Sequence, residues 1–255
     1  MNLNALVVCT WIASVCLVAT ADEHRTNALR PIMNVPDEQV YASDFSVAGP
    51  LDKSVWQIRQ GTRWKVADGV LRGQQSSAEY QAQKADHKGF DPRIKSLQTP
   101  RQFIAKFSVR FLEGEETNLL PIIEFGHHNV RLKFSETGVV MLADHEAVQL
   151  AETQEVSLNR GVWHHVLAER RGDQFIVQFA DGPTLYAKHK SLAIPIADQS
   201  DGLGIAGTRK GFVEIDNVTL WSIKPEAAAG WQAARAKLPQ TAAKAIEKKS
   251  KKKKK

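Results

Sequence analysis

Cysteine is nearly absent from this sequence. The chain has 255 residues and two cysteines, Cys9 and Cys16, which both lie in an apolar segment at the N-terminus. Beyond that segment, the sequence excludes disulfide bonds, thiol catalysis and zinc sites built on cysteine. A domain without such links depends on its hydrophobic core. About 185 residues are enough for one large core, because a domain of that size buries about 70% of the surface that its unfolded chain exposes.

Charged residues are missing from the start of the chain, between Leu3 and Ala21. This apolar run ends at Ala19-Thr20-Ala21, which places small residues where a signal peptidase needs them, and polar residues follow from Asp22. We therefore expect a signal peptide over residues 1–21, cleavage after Ala21, and export to the periplasm, the cell envelope or the medium. The alternative is an N-terminal membrane anchor, but the run barely spans about 30 Å of hydrocarbon and lacks a basic flank.

The body of the chain has no net positive charge, because the excess of basic residues is concentrated at the C-terminus. The segment from Lys224 to Lys255 holds 11 of the 34 basic residues and 2 of the 28 acidic ones, so it carries +9. The rest carries −3, although the whole sequence has a net charge of +6. A nucleic-acid-binding fold carries basic residues on its own surface, so we expect no sequence-specific nucleic-acid partner. We interpret residues 224–255 as an Ala/Lys-rich tail, part helical and part disordered, whose lysines bind a polyanionic surface.

Helical periodicity is lacking between Gln39 and Ile223, where no run of ten or more residues shows it. Short runs of alternating polarity replace it, and Phe103–Phe111 is the clearest. An apolar residue at every second position is typical of a strand with one buried and one wet face. About a dozen such strands predict an all-β fold over residues 39–223, an antiparallel β-sandwich or jelly roll, after a linker over residues 22–38. The other predicted strands are Val55–Arg59, Arg63–Ala67, Leu119–Phe125, Val130–Phe134, Val139–Leu142, Val162–Arg170, Phe175–Phe179, Leu203–Ala206 and Phe212–Trp221.

Three segments resemble known domains. Trp64–Gly73 resembles the opening hairpin of concanavalin A-like domains, especially those named after 3-keto-disaccharide hydrolases. Gly161–Val166 resembles the Trp-His strand of laminin G-like domains, and Phe212–Trp221 resembles the closing strand of the same superfamily. The resemblance implies two stacked, curved antiparallel sheets, with any carbohydrate on the concave face or its rim loops. The hydrolase-named domains carry an Asn-Ser-Gly stretch where this chain has Thr117–Pro121, so their activity is not carried over.

A partial catalytic motif lies in the predicted closing strand. Retaining glycosidases of this superfamily place carboxylates in a Glu-x-Asp-x-x-Glu pattern, which aims nucleophile and acid at one face, about 5 Å apart. Glu214 and Asp216 match the first two positions, but Thr219 stands where the acid/base is needed. We therefore interpret this strand as structural and predict no catalytic residue.

Two histidine pairs, His127-His128 and His164-His165, raise the possibility of a metal site. Adjacent residues of a strand point to opposite faces, so neither pair can chelate one ion. A site would need one histidine from each pair and a carboxylate such as Glu124. We favour ordinary core or surface histidines and predict neither a metal nor a cofactor.

The wet faces of the predicted strands hold better binding candidates. Lys106 and Arg110 share one face, Arg131 and Lys133 share another, and Glu124 lies near the end of the strand between them. If these strands are neighbours, the five side chains form one polar surface of mixed charge. Arginine and carboxylate groups can hydrogen-bond sugar hydroxyls in pairs. The alternative is a solvated sheet face without a ligand.

A long polar loop, Gln74–Asp91, adds His87 as a sixth candidate, because long loops in compact domains are often functional. The tryptophans of the strand motifs are expected in the core rather than as platforms for sugar rings. They are Trp56, Trp64, Trp163 and Trp221.

These observations favour an exported β-sandwich that binds carbohydrate or another extracellular polymer without cleaving it. One alternative is a glycoside hydrolase that acts on modified (3-keto) disaccharides. Another is a structural envelope protein whose sandwich mediates protein contacts. The predicted partners are a glycan or similar polymer for the domain and a polyanionic surface for the tail.

Overall fold

A computed structural model describes residues 28–115, 121–126, 129–143, 148–193 and 202–246. The predicted signal peptide, His127-His128, most of Thr117–Pro121 and Lys251–Lys255 lie outside these residues. Within them, no helix is long and apolar enough to cross a membrane.

The described chain consists of sixteen strands, two short helices and one 3₁₀ turn at Lys190–Ala193. Helix α1 spans Ala78–Ala82 and helix α2 spans Trp231–Lys237. In chain order the strands are β1 (Asn34–Ser43), β2 (Trp56–Ile58), β3 (Arg63–Ala67), β4 (Val70–Gln74), β5 (Arg93–Ser96), β6 (Phe103–Phe111), β7 (Ile122–Phe125), β8 (Val130–Ser135), β9 (Gly138–Ala143), β10 (Val148–Thr153), β11 (Trp163–Arg171), β12 (Gln174–Phe179), β13 (Thr184–Lys188), β14 (Leu203–Ala206), β15 (Phe212–Ala227) and β16 (Lys244–Ala245).

The strands form two antiparallel sheets, as the sequence predicts. We call the sheet ordered β13-β12-β11-β6-β15-β4-β3 the back sheet, and it includes β1 as a further partner of β15. We call the sheet ordered β16-β10-β9-β8-β7-β14-β5-β2 the front sheet. Strand β15 is central to the back sheet, because its first half pairs with β4, its second half pairs with β1, and both halves pair with β6.

The core lies between the sheets and is rich in phenylalanine. Phe103, Phe107 and Phe111 point inward from β6, where their rings meet Phe125 of β7 and Phe134 of β8 at centroid distances between 5.4 and 6.3 Å. All five are at most 1% exposed. Burying each such side chain stabilises the fold by about 1.5–3 kcal/mol, so the alternating pattern of β6 fixes which face of that strand is internal.

The outward face of the back sheet is partly covered by the chain termini. Met33 and Trp231 pack against Ile176 and Tyr186 on this face. Nearby, Leu29 packs in the same way against outward residues of β6 and β11. The terminal segments therefore cover one end of the outward face of the back sheet. They do not cover its other end, near the start of β15.

Two predicted boundaries differ from the structure. The last part of the predicted linker, Asn34–Glu38, is the first half of β1. This strand is irregular, with register shifts around Pro36, and edge strands tolerate proline there. At the other end, β15 continues to Ala227, past the predicted domain end at Ile223, and helix α2 begins at Trp231.

Candidate functional site

The structure divides the six predicted binding residues between the two sheets. Lys106 and Arg110 lie on β6 of the back sheet, whereas Glu124, Arg131 and Lys133 lie on β7 and β8 of the front sheet. The hypothesis of one shared polar surface is therefore wrong. Strands β6 and β7 face each other across the core, so their wet faces point to opposite sides of the molecule.

The sixth candidate, His87, lies in the exposed loop between α1 and β5. Its Nδ1 atom is 3.1 Å from Nε2 of Gln60. Among the described residues, no hydrogen bond or ion pair links His87 to any of the other five candidates. The prediction that this loop contributes to their site gains no support.

Three of the predicted residues do come together on the front sheet. Glu124 and Arg131 are direct cross-strand partners, and Nε of Arg131 donates to Oε1 of Glu124 at 2.9 Å. The two side chains are only 15% and 13% exposed. Lys133 follows on the same face of β8, opposite Ile122. A charged pair this sheltered keeps a fixed geometry, which suits it to present hydrogen-bonding groups in set positions.

The same row continues across two more strands. Gly204 of β14 lies opposite Glu124, and Lys95 of β5 lies opposite Gly204. Strand β14 has only the small residues Gly204 and Ala206 on this face, between the longer side chains of β5 and β7. We call Lys95, Glu124, Arg131, Lys133 and Gly204 the front row.

A second polar cluster lies on the back sheet around Glu214, which is fully buried. Its Oε1 accepts a hydrogen bond from Nε of Arg72 at 2.7 Å, and its Oε2 accepts one from Nε of Arg110 at 2.7 Å. The Nη2 atom of each arginine contacts the same oxygen as its own Nε atom, which is Oε1 for Arg72 and Oε2 for Arg110. Both carboxylate oxygens are therefore occupied by guanidinium groups. Such a carboxylate is held as a structural anion, which agrees with the structural interpretation of the Glu214 strand.

Aromatic side chains border this arrangement. The guanidinium carbon of Arg110 lies 4.6 Å from the ring centroid of Trp163, a cation–π contact. Phe212 precedes Glu214 on the same face of β15 and is 41% exposed. We call Arg72, Arg110, Trp163, Phe212 and Glu214 the back cluster. The prediction that Trp163 is a core residue is wrong, since it lies on the outward face and is partly exposed.

Asp216 is the next outward residue of β15 after Glu214. Its strand partner is Ser108, whose Oγ lies 2.8 Å from Nδ1 of His165. Burial, with a smaller contribution from the charge of Asp44, raises the pKa of Asp216 to about 6 against the opposing hydrogen bond from the Asn217 backbone N–H. Asp216 thus carries a charge that its surroundings disfavour.

We expect Asp216→Asn to stabilise the protein at alkaline pH. Because the folded pKa lies above the ordinary value of 3.8, the folded state holds its proton longer. Protonation of Asp216 therefore stabilises the folded state fully below about pH 4, and this stabilisation is lost as the pH rises through 6. At about 1.36 kcal/mol per pKa unit, the variant should gain at most about 3 kcal/mol at about pH 8 and almost nothing at about pH 4. Urea unfolding at both pH values measures this, with the exposed Asp37→Asn as control. An equal gain at both pH values would contradict the assignment.

The histidines of β11 point to opposite faces, as expected. His164 is buried inward against Phe111 and Phe134, and burial lowers its pKa to about 4, with a smaller contribution from His165. His165 points outward to Ser108. In the part of the chain that the structure describes, no three His, Cys, Asp or Glu residues are grouped as a metal site. His127-His128 lie outside that part.

Comparisons with known proteins give the fold. No family model matches the chain, and no curated protein is similar to it in sequence. A variant of SCLam, a non-specific endo-β-1,3(4)-glucanase from family GH16 co-crystallized with 1,3-β-D-cellotriosyl-glucose, has a TM-score of 0.51 and 12% identity over 76% of this chain and 98% of its own. A β-glucanase of Bacillus licheniformis has a TM-score of 0.48 and 11% identity over 73% of this chain and 99% of its own. The carbohydrate binding module CBM66 of Bacillus subtilis has a TM-score of 0.44 and 15% identity over 66% of this chain and 95% of its own.

At such low identity, the similarity establishes the fold and no activity. The chain has the concanavalin A-like jelly-roll fold, which confirms the fold class predicted from the sequence and the resemblance on which it rested.

Some of the side chains in the two clusters were not predicted from the sequence. Lys95 lies in β5, a four-residue strand that was not predicted, although Arg93-Ile94-Lys95 alternates in the expected way. Arg72 lies in the recognised opening hairpin, but nothing local connects it to Glu214, 142 positions away. The position of Phe212 could have been predicted from the sequence. Val213 and Ile215 occupy the inward face of this strand, so the alternation places Phe212 on the outward face.

Proposed function

We propose that this domain binds a carbohydrate polymer through the front row and does not cleave it. The observation that carries the proposal is the fixed row of charged groups across β5, β14, β7 and β8, with the small residues of β14 at its centre. Gly204 and Ala206 add no long side chain to this face, and Glu124, Arg131 and Lys133 supply hydrogen-bond acceptors and donors beside them.

The choice of the front sheet follows from how the two outward faces are covered. Terminal segments pack hydrophobically over one end of the back sheet, through Leu29, Met33 and Trp231. The outward positions of β14 and β8 are instead small or polar and include Gly204, Ala206, Arg131 and Lys133. The front row offers a polymer a continuous row of polar side chains, which supports the front sheet as the polymer-binding face.

The distribution of carboxylates supports binding without hydrolysis. Glycosidases use two carboxyl groups, either about 5 Å or about 6.5–9.5 Å apart. The outward positions of β5, β14, β7 and β8 carry one, Glu124, and it is paired with Arg131. On the back sheet, both oxygens of Glu214 are held by arginines, and Thr219 replaces the third group of the glycosidase motif.

Glu124→Gln and Lys133→Ala should each weaken polysaccharide binding about tenfold. A hydrogen bond to a charged group contributes about 1.5–3 kcal/mol, and each change removes one charged partner on the front row. Affinity electrophoresis in gels that contain laminarin, mixed-linkage β-glucan or xylan measures retardation, and release of reducing ends from the same polymers measures cleavage. Lys188→Ala is a matched control, because Lys188 lies on β13 of the back sheet and is 51% exposed.

Retardation that both front-row variants lose and Lys188→Ala keeps, without release of reducing ends, is the expected result. Cleavage of any polymer would overturn the non-catalytic part of the proposal. Binding that survives both front-row substitutions would overturn the assignment to the front row. Thermal unfolding of each variant shows that lost binding does not reflect lost folding.

A further inference from the structure

We propose that the back cluster is a second, separate binding site, and that it takes a uronate residue of an acidic polysaccharide. This site does not depend on the front row, since the two lie on opposite faces of the sandwich. The chemical feature that this site recognises is a carboxylate group on a sugar ring.

The charge that the back cluster presents to solvent is positive. Glu214 is fully buried, whereas the side chains of Arg72 and Arg110 are 34% and 29% exposed. Two guanidinium groups against one carboxylate leave a net charge of +1, and the anion lies beneath the cations. An approaching ligand therefore meets guanidinium groups, which favours an anionic group over a neutral hydroxyl.

The two guanidinium groups are held in place before any ligand arrives. Glu214 fixes Nε and Nη2 of both arginines, and Trp163 lies against the plane of Arg110. No hydrogen bond of the Nη1 atom of Arg110 is formed within the described residues. The Nη1 atom of Arg72 has a loose contact of 3.6 Å with Asp68, whose side chain is 78% exposed. These N–H groups are available to a carboxylate, which planar guanidinium groups bind in pairs.

Aromatic surface beside the cations indicates a sugar rather than a simple anion. Phe212 is 41% exposed on the face that carries both arginines, and Trp163 is partly exposed on the far side of Arg110. Exposed rings next to hydrogen-bonding groups suit a ligand with one apolar and one polar side. A pyranose ring with a carboxylate has both.

The position of the back cluster leaves it accessible. The terminal segments cover the residues around Ile104 and Ile176, which lie in the first halves of β6 and β12. Phe212 and Glu214 lie at the start of β15, and Arg110 lies near the end of β6. Lys106 lies farther along the same face of β6, beyond Ser108 and its strand partner Asp216, and is not part of the cluster.

The test compares binding of polygalacturonate with binding of the same polymer after methyl esterification, by isothermal titration calorimetry. The two polymers share a backbone and differ in charge. We expect the full chain to bind polygalacturonate at least about tenfold more tightly than the ester, and added salt to weaken this binding. Phe212→Ala and Trp163→Ala should each weaken it several-fold, whereas the front-row variant Glu124→Gln should leave it unchanged.

A form of the protein that ends at Ile246 separates this site from the terminal lysines and should bind equally well. Equal affinity for the ester, no binding at all, or loss of binding in the truncated form would each overturn the proposal. So would loss on Glu124→Gln without loss on Phe212→Ala, which would place acidic polymers on the front row and leave the proposed function standing. Phe212 is 41% exposed and lies outside the core, so its substitution tests the site without unfolding the domain.

Discussion

Replacing Glu214 by alanine should lower the free energy of unfolding by about 3–5 kcal/mol. The carboxylate is fully buried and neutralises part of the charge of Arg72 and Arg110, which flank it on β4 and β6. Without it, two guanidinium groups are left close together with no anion between them, and the centre of the back sheet loses the interaction that joins three strands. Urea denaturation followed by circular dichroism measures the change.

Glu115→Ala is the matched control for this prediction. Glu115 also pairs with two cations, Arg209 and Lys210, but its side chain is 46% exposed. An exposed pair contributes about 1 kcal/mol or less, so the control should change stability little. Replacing Arg72, Glu214 and Arg110 together by apolar residues of similar size should cost much less than Glu214→Ala alone. A small effect of Glu214→Ala would show that the buried cluster does not stabilise the sheet.

Sequence reasoning predicts strands of this fold where alternation is strong. The strand predicted at Phe103–Phe111 has the bounds of β6, because five inward apolar residues alternate with polar ones. Two of the strands that were not predicted are short or irregular. Strand β5 has four residues, and β1 contains Pro36 and several register shifts, so its partner β15 rather than its own sequence determines its conformation.

The candidate sites could be predicted only in part, because they depend on which strands become neighbours. Strands β6 and β7 are consecutive in sequence but lie in different sheets, so Arg110 and Glu124 never meet. The pair Glu124–Arg131 was found because β7 and β8 are joined as a hairpin. Lys95 reaches the same row through β14, whose sequence lies more than a hundred positions away. No local pattern encodes that pairing.

The N-terminal segment is held on the back sheet by one buried side chain, Glu169 of β11. Its carboxylate accepts hydrogen bonds from the backbone N–H groups of Ile32 at 2.8 Å, Met33 at 3.1 Å and Asn34 at 2.7 Å. Burial raises the pKa of Glu169, and these three hydrogen bonds oppose the shift. The Met33 carbonyl accepts a hydrogen bond from the Ala228 N–H, and Asn34 pairs with Ala227 of β15. The three N–H groups of residues 32–34, in contrast, all depend on the carboxylate of Glu169.

Glu169→Ala should therefore release this segment. Each buried N–H group without an acceptor costs about 1–3 kcal/mol. Three such groups together cost more free energy than the burial of Met33 on the sheet contributes. We therefore expect the segment to detach from the sheet. Hydrogen exchange at residues 32–34 should lose its protection while β6 stays protected, and the thermal midpoint should fall. Glu169→Gln keeps one acceptor oxygen and should show a smaller change. Unchanged protection of residues 32–34 in the alanine variant would mean that hydrophobic packing, rather than this carboxylate, holds the N-terminal segment.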